Sequence, residues 1–450
     1  MLKDMTTGRP LRLIVSYSLP LIIGMVLQLC YGMTDAIIVG RILGWRALGA
    51  VGSSGVVVFL LFSFIFAMTG GFAILTGQCF GAKDLNGVRR SMTTSFILSG
   101  ITAIIIVTAA LFGLDYFLIL LRTPAEIYDL CRSYLVIIII GHLAIAVYNV
   151  FSSTLRALGD SKTPLYFLIV STLLNVGLDL LFLLKFHWGV SGVAWATVIS
   201  QVISGIFCAI YTVCRFPELH LKREDWKLYR VKEHLHLGIP LGIQTSCIAF
   251  SCVVMQGSLN RLGDIAVAGF ATGVQVDRLF TIFIYAITMT VGAFTAQNYG
   301  SKRFDRICNG CTDASWFILA LAVIGCVGTI SSYRALTKVF ISADQVDVLL
   351  PYVRDFMVYR SPFYIFLGLM FIYRNALQSM GYSFLPLLSG FSDLFFRSVL
   401  CVVLGRLWGY RGVCLGDVLS WVATCILLAI PYFITIHKRT GKYFRTPYWD

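Results

Sequence analysis

Twelve stretches of roughly twenty mostly apolar residues recur along this chain, and no other feature restricts its fold so sharply. They run over residues 13–38, 49–74, 93–114, 131–153, 164–186, 190–213, 237–258, 267–292, 311–331, 354–374, 385–405 and 413–436. About twenty such residues are what one helix needs to cross a hydrocarbon core. The blocks are long and unbroken and lack the alternation of barrel strands, so each is expected to be a helix that satisfies its own backbone hydrogen bonds. Composition agrees with a lipid-facing surface. Only 13% of the 450 residues are charged, against about 25% in a soluble chain, and mean hydropathy is +0.82. An ordinary soluble enzyme, a disordered chain and a secreted disulfide scaffold are thereby excluded.

The net charge of +14 does not read as nucleic-acid binding, because the bases fall in short clusters between apolar blocks. With the N-terminus inside, the inner segments collect 22 Lys and Arg, Arg374 among them, and the outer loops 9, Arg122 among them. That bias places both termini in the cytosol. The 13 Cys are scattered singly, as suits reduced buried side chains, and Cys308 and Cys311 form the sole CxxC. No small-residue cleavage site follows a short apolar core near the start, so the first apolar block is read as a retained span.

The chain repeats itself. LGWRALGAVG from Leu43 answers LGDIAVAGFA from Leu262, and TGQCFGAK from Thr76 answers TAQNYGSK from Thr295, all at one offset of 219 residues. Later matches drift slightly: Gly159 and Pro164 pair with Gly381 and Pro386, and Trp188-Gly189 with Trp408-Gly409. The predicted organisation is an N-lobe over 1–214, a cytosolic linker over 215–236 and a C-lobe over 237–450. The offset covers six spans, an even number, so both copies enter the bilayer in the same direction, as in parallel-repeat secondary transporters.

Acids inside the spans carry the chemistry, since a carboxylate in hydrocarbon faces a cavity or a partner. Asp35 lies in the first span and Asp179 in the fifth, with Asn175 one helical turn before it and on the same face. Thr197 lies in the sixth. Two carboxyls, an amide and a hydroxyl make a hard oxygen site for a small cation, and two adjacent carboxyls either share a proton or accept a cation in its place. The competing reading leaves Asp179 as a hydrogen-bond acceptor and Asp35 as a cap at a helix break.

The second half differs. Span seven offers Gln244 and Gln256 but no carboxylate; span eight has Asp277, open to either cavity lining or pairing with a base. Asp393 stands four residues before Arg397, a spacing for local neutralisation. Gln275, Gln297, Gln378 and Asn375 are suited to hydrogen bonds across helices. Phe283, Tyr285 and Tyr364 join Gln244, Gln256 and Asp277 as candidates for lining a substrate chamber, where aromatic walls attract cationic solutes. His142 is read as a packing residue. The chain has no GxxxxGK[ST] loop, no TVGYG filter and no HExxH motif, which leaves a carrier driven by an existing ion gradient, without covalent chemistry.

SLPLIIG, YGMTDAIIVGRILG, TGQCFGAK, STLRALGDSKTP, and LNVGLD followed by GVSGVAWAT give the whole a further likeness, from about Ser18 to Arg439. The chain resembles the bacterial multidrug and toxic compound extrusion transporters, and the DNA-damage-inducible branch more than the norfloxacin-transporter branch. The resemblance implies an all-α membrane fold of twelve helices in two six-helix bundles forming a V-shaped chamber in the bacterial plasma membrane. It implies a monomer that exports drugs or toxic metabolites, organic cations and amphiphiles, in exchange for H⁺ or Na⁺, with no other cofactor and no nucleic-acid partner. The family's N-lobe cation site falls on Asp35, Asn175, Asp179 and Thr197, whereas the other branch's C-lobe carboxylates have no match in span seven. A flippase or exporter of a lipid-linked or anionic metabolite would share the architecture but need a basic chamber. A membrane receptor or scaffold would need a soluble domain, for which the short connections leave no room.

Overall fold

A computed structural model describes residues 3–120, 123–216, 223–341 and 343–444. Arg122, Lys222 and Arg445, included in the base counts above, lie outside the described residues. Every regular element among the described residues is helical: α1 (Pro10–Leu43), α2 (Trp45–Gly81), α3 (Leu85–Leu120), α4 (Ala125–Ala157), α5 (Lys162–Leu180), α6 (Gly189–Arg215), α7 (Val231–Asn260), α8 (Asp264–Gly300), α9 (Phe304–Phe340), α10 (Ala343–Arg360), α11 (Tyr364–Ser379) and α12 (Phe384–Thr440). Several helices overrun their apolar blocks, α2, α3, α4 and α9 by a turn or more at each end. Among the described residues, eleven helical segments are long and apolar enough to cross a membrane. The twelve expected crossings are recovered once two of them are read closely. A 3-10 turn joins α10 and α11 into one crossing. At about 1.5 Å per residue, the 57 residues of α12 exceed any bilayer, and they divide at Gly409, where φ is 59°.

The duplication is written into the backbone. Gly189 and Gly409 both take positive φ, 61° and 59°, a conformation that a Cβ resists. Lys83 and Lys302, a repeat-related pair just past α2 and α8, both do so as well, at 60° and 59°. Two sequences diverged this far keep the same turns because Lys83 and Lys302 each follow the end of a helix and Gly189 and Gly409 each mark a helix break.

The helices form two compact units. The first comprises Met1–Asp4 and Leu19–Gly242, the second Met5–Ser18 and Ile243–Asp450. In the first, α4 packs on α2, α3 and α6, and Leu135, Ile139, Val193 and Ala194 are fully buried there. A Cβ on Gly141 would stand 2.2 Å from Val198, so glycine is what lets α4 and α6 approach. The second unit is centred on α8, α9, α11 and α12, with Phe294, Ile318 and Phe356 fully buried.

Each unit also holds the lead-in to a helix. In the second, Met5 N donates to Gln297 Oε1 at 2.9 Å and Asn298 Nδ2 donates to Met5 O at 3.1 Å. In the first, the chain ahead of α7 is held by Tyr229 N donating to Thr94 Oγ1 (2.9 Å) and by Arg89 Nε on Asp225 Oδ2 (3.1 Å).

Candidate cation site

Four of the residues singled out in the first half come together inside the first unit. Asp35 sits on α1, Asn175 and Asp179 on α5, and Thr197 on α6. The i, i+4 spacing sets Asn175 and Asp179 on one face, and both are fully buried. The carboxyls of Asp35 and Asp179 are within hydrogen-bonding reach of each other. Such a bond requires one proton between them. Asn175 Nδ2 donates to Asp179 Oδ2 at 3.1 Å while its Oδ1 accepts from the Thr197 backbone N–H at 3.3 Å.

What is missing around the acids is as informative. Asp35 Oδ1 and Asp179 Oδ1 are buried and receive no hydrogen bond. Among the described residues no Lys, Arg or His forms an ion pair with either carboxyl. A charged acid at the centre of a spanning helix costs about 3 kcal/mol or more, so the pair is poised to take up a small positive charge. Carboxyl and hydroxyl oxygens suit a proton or a hard cation.

Tyr31 joins the site unannounced: its hydroxyl lies 3.4 Å from Thr197 Oγ1, one turn before Asp35 on α1. The i, i+4 relation of Tyr31 to Asp35 was the available signal, lost among 21 Tyr. Immediately after Asp179, α5 widens into a π-helical turn over Leu181–Lys185, with Phe186 N reaching back five residues to Leu181 O at 3.3 Å. Such widened turns often sit beside functional groups. His142 is a packing residue as expected, with Nδ1 at 2.8 Å from Ile138 O and its ring stacked on Phe62.

The second unit treats its acids differently. Asp277, Asp393 and Asp417 are buried and alternate with two arginines in one chain. Arg360 Nε meets Asp277 Oδ1 at 3.1 Å, and Arg360 also binds Asp417. Arg397 Nε meets Asp417 Oδ1 at 3.2 Å, and its Nη2 meets Asp393 Oδ1 at 3.0 Å. The Asp393–Arg397 spacing thus gives the local pair it suggested, while Asp277 takes its base from α10 rather than from its neighbour Arg278.

The six chamber candidates have separate settings. Tyr364, fully buried, donates to Asp277 Oδ1 at 2.7 Å. Gln244 donates to Ser389 Oγ at 2.8 Å and accepts from Gln378 Nε2 at 2.7 Å, one of the cross-helix bonds anticipated from the glutamines. Gln256 is exposed and bonds Asn260 at 2.9 Å. Phe283 is exposed, and Tyr285 packs edge-on against Phe371 at 5.1 Å. One residue needs correction. Arg374, counted with the inner-loop bases, is buried within α11.

Comparison with known proteins fits this arrangement. The MatE family model matches residues 20–181 and 240–403, one match in each repeat, and the chain belongs to this family of multidrug and toxic compound extrusion transporters. The model of the lipid II flippase MurJ matches residues 123–258. The probable multidrug resistance protein YpnP of Bacillus subtilis is 32% identical over 313 residues, covering 68% of each chain. The probable multidrug resistance protein NorM of Thermotoga maritima is 26% identical over 345 residues, covering 74% of this chain and 73% of that one. Among solved structures, an outward-facing MATE transporter of the MOP superfamily superposes with a TM-score of 0.89 at 21% identity over 98% of both chains. A MOP-superfamily transporter from Pyrococcus furiosus, described as having reversed polarity of its binding pocket, gives 0.90 at 20% identity over 98% of both chains. The chain is therefore a multi-pass transport protein of the bacterial plasma membrane, not an enzyme, and its class is ion-coupled secondary efflux of small organic compounds.

Proposed function

We propose that this protein exports organic cations and amphiphilic compounds in exchange for H⁺ or Na⁺ bound by Asp35, Asn175, Asp179 and Thr197, with Tyr31 beside them. The observation that carries the reading is a pair of interacting carboxyls that have no ion pair with a base among the described residues, in a chain whose other buried acids on α8 and α12 have arginines. A cation entering from outside neutralises the pair and disfavours the solute-loaded state; solute arriving from inside disfavours the cation by the same factor. Alternating exposure of the two sites to either side of the membrane then exchanges one for the other. The protein works as a monomer with both termini in the cytosol, its halves 1–214 and 237–450 acting as lobes joined by the linker. The acid pair in the first half, with no carboxylate in the lipid-spanning part of α7, supports membership of the DNA-damage-inducible branch.

The test is dye efflux from liposomes with sodium and pH gradients imposed separately, on the native chain and on Asp35→Asn and Asp179→Asn. Gradient-driven efflux that survives in both variants overturns the proposal. The MurJ match supports one alternative, flipping of a lipid-linked or anionic metabolite, which predicts transport of such a lipid and indifference to cationic dyes.

A further inference from the structure

We propose that Arg374 in the second unit is an anchoring point for a carboxylate on the transported solute. The argument begins with charge. The chain Asp277–Arg360–Asp417–Arg397–Asp393 contains three acids and two arginines and so holds one surplus negative charge when all are ionised. Arg374 restores neutrality, since Asp393 acts on it electrostatically. Yet it forms no ion pair among the described residues. The oxygens of Asp393 are already taken: Oδ1 by Arg397 Nη2 (3.0 Å) and Ser420 Oγ (3.2 Å), and Oδ2 by Ser251 Oγ (3.1 Å).

Arg374 is only 4% exposed, and its Nε and Nη2 have no hydrogen-bond partner. A guanidinium carries five donors in a planar fork that matches a carboxylate. Leaving that fork empty inside a membrane protein is costly, and buried charges of this kind mark binding sites by default. The surroundings indicate what arrives with the carboxylate. The guanidinium lies 5.0 Å from the ring of Phe371, Phe371 packs edge-on with Tyr285 at 5.1 Å, and both rings are half-buried. An aromatic acid would place its ring against these two and its carboxylate on the fork. Because the charge chain with Arg374 is neutral, a solute that also carries a positive group is favoured over a plain anion. The occupant is thus an aromatic zwitterion, a class that rests on the export function proposed above.

A carboxylated rhodamine and its methyl ester are matched probes: the first is a zwitterion, the second a cation of nearly the same shape. Equilibrium binding of both to the full-length protein in nanodiscs, followed by fluorescence anisotropy, tests the assignment. The native protein should bind the acid about tenfold tighter than the ester, as suits a bidentate charge-assisted pair. Arg374→Met should abolish that preference and leave ester binding within about threefold, and Arg374→Lys, which keeps the charge but not the fork, should fall between. If Arg374→Met does not fold, Arg374→Lys alone still decides. Equal binding of acid and ester by the native protein, no binding of either, or an acid-to-ester ratio unmoved by the substitution overturns the inference. Failure of the export function would appear separately, as absent gradient-driven efflux of the ester.

Discussion

Two groups of buried acids, one in each unit, solve the same physical problem in opposite ways. Asp35 and Asp179 interact with each other, and among the described residues neither has an ion pair with a base. Asp277, Asp393 and Asp417 are also buried and are bridged by Arg360 and Arg397. Duplication supplied the same helices twice, so the difference lies in the side chains alone. An acid with a covalently attached counter-ion has no need of a mobile one, whereas an acid pair without one must borrow its positive charge from solution. On the function proposed above, the second cluster is structural and the first exchanges the cation.

The hardest way to break this comparison is to remove a built-in cation. Arg397→Met strands Asp393 and leaves Asp417 with Arg360 alone, and the purified protein should lose about 3–5 kcal/mol of resistance to unfolding; most of that should return in Asp393→Asn/Arg397→Met. A denaturation curve that does not shift would show the arginines to be ornamental. Next in size, Asp35→Asn or Asp179→Asn should lower gradient-driven efflux by about ten- to a hundredfold. Either change should leave stability unchanged or higher, because an uncompensated carboxyl has been removed. Loss of fold in these variants would mean that the first cluster is structural too. A control lies outside both clusters: Gly141→Ala should destabilise by about 1–3 kcal/mol through overpacking, and Val198→Ala should relieve it, with cation dependence unmoved in the double variant. The smallest effect is expected of Tyr31→Phe. Loss of one hydroxyl next to Thr197 should weaken cation binding by about 0.5–1.5 kcal/mol, seen as a shift in the sodium or proton concentration that half-saturates efflux.

Much of this was legible in one dimension because lipid simplifies the code. Apolar length marks a crossing, and a repeat offset ties Gly189 to Gly409 and Lys83 to Lys302 before any coordinates exist. The Asn175–Asp179 pair was legible for the same reason, since helical spacing fixes its shared face. Contacts made across helices were not. The partner of Asp277 is 83 residues away at Arg360, and Asp417 lies 57 residues beyond that arginine. No local pattern encodes either meeting. Arg374 misled because a single base near the end of an apolar block looks the same whether it marks the membrane boundary or is buried inside the helix.

The allocation of α1 and α7 between the compact units has a consequence for biosynthesis. The first unit includes Val231–Gly242, the opening turns of α7, on the far side of the central linker. A ribosome that has released only the first six crossings has not yet supplied all the pieces of the amino-terminal core, so that core stays unfinished until the seventh helix emerges. A product truncated before residue 231 should be recognised by membrane quality control as incomplete, however well its individual helices insert.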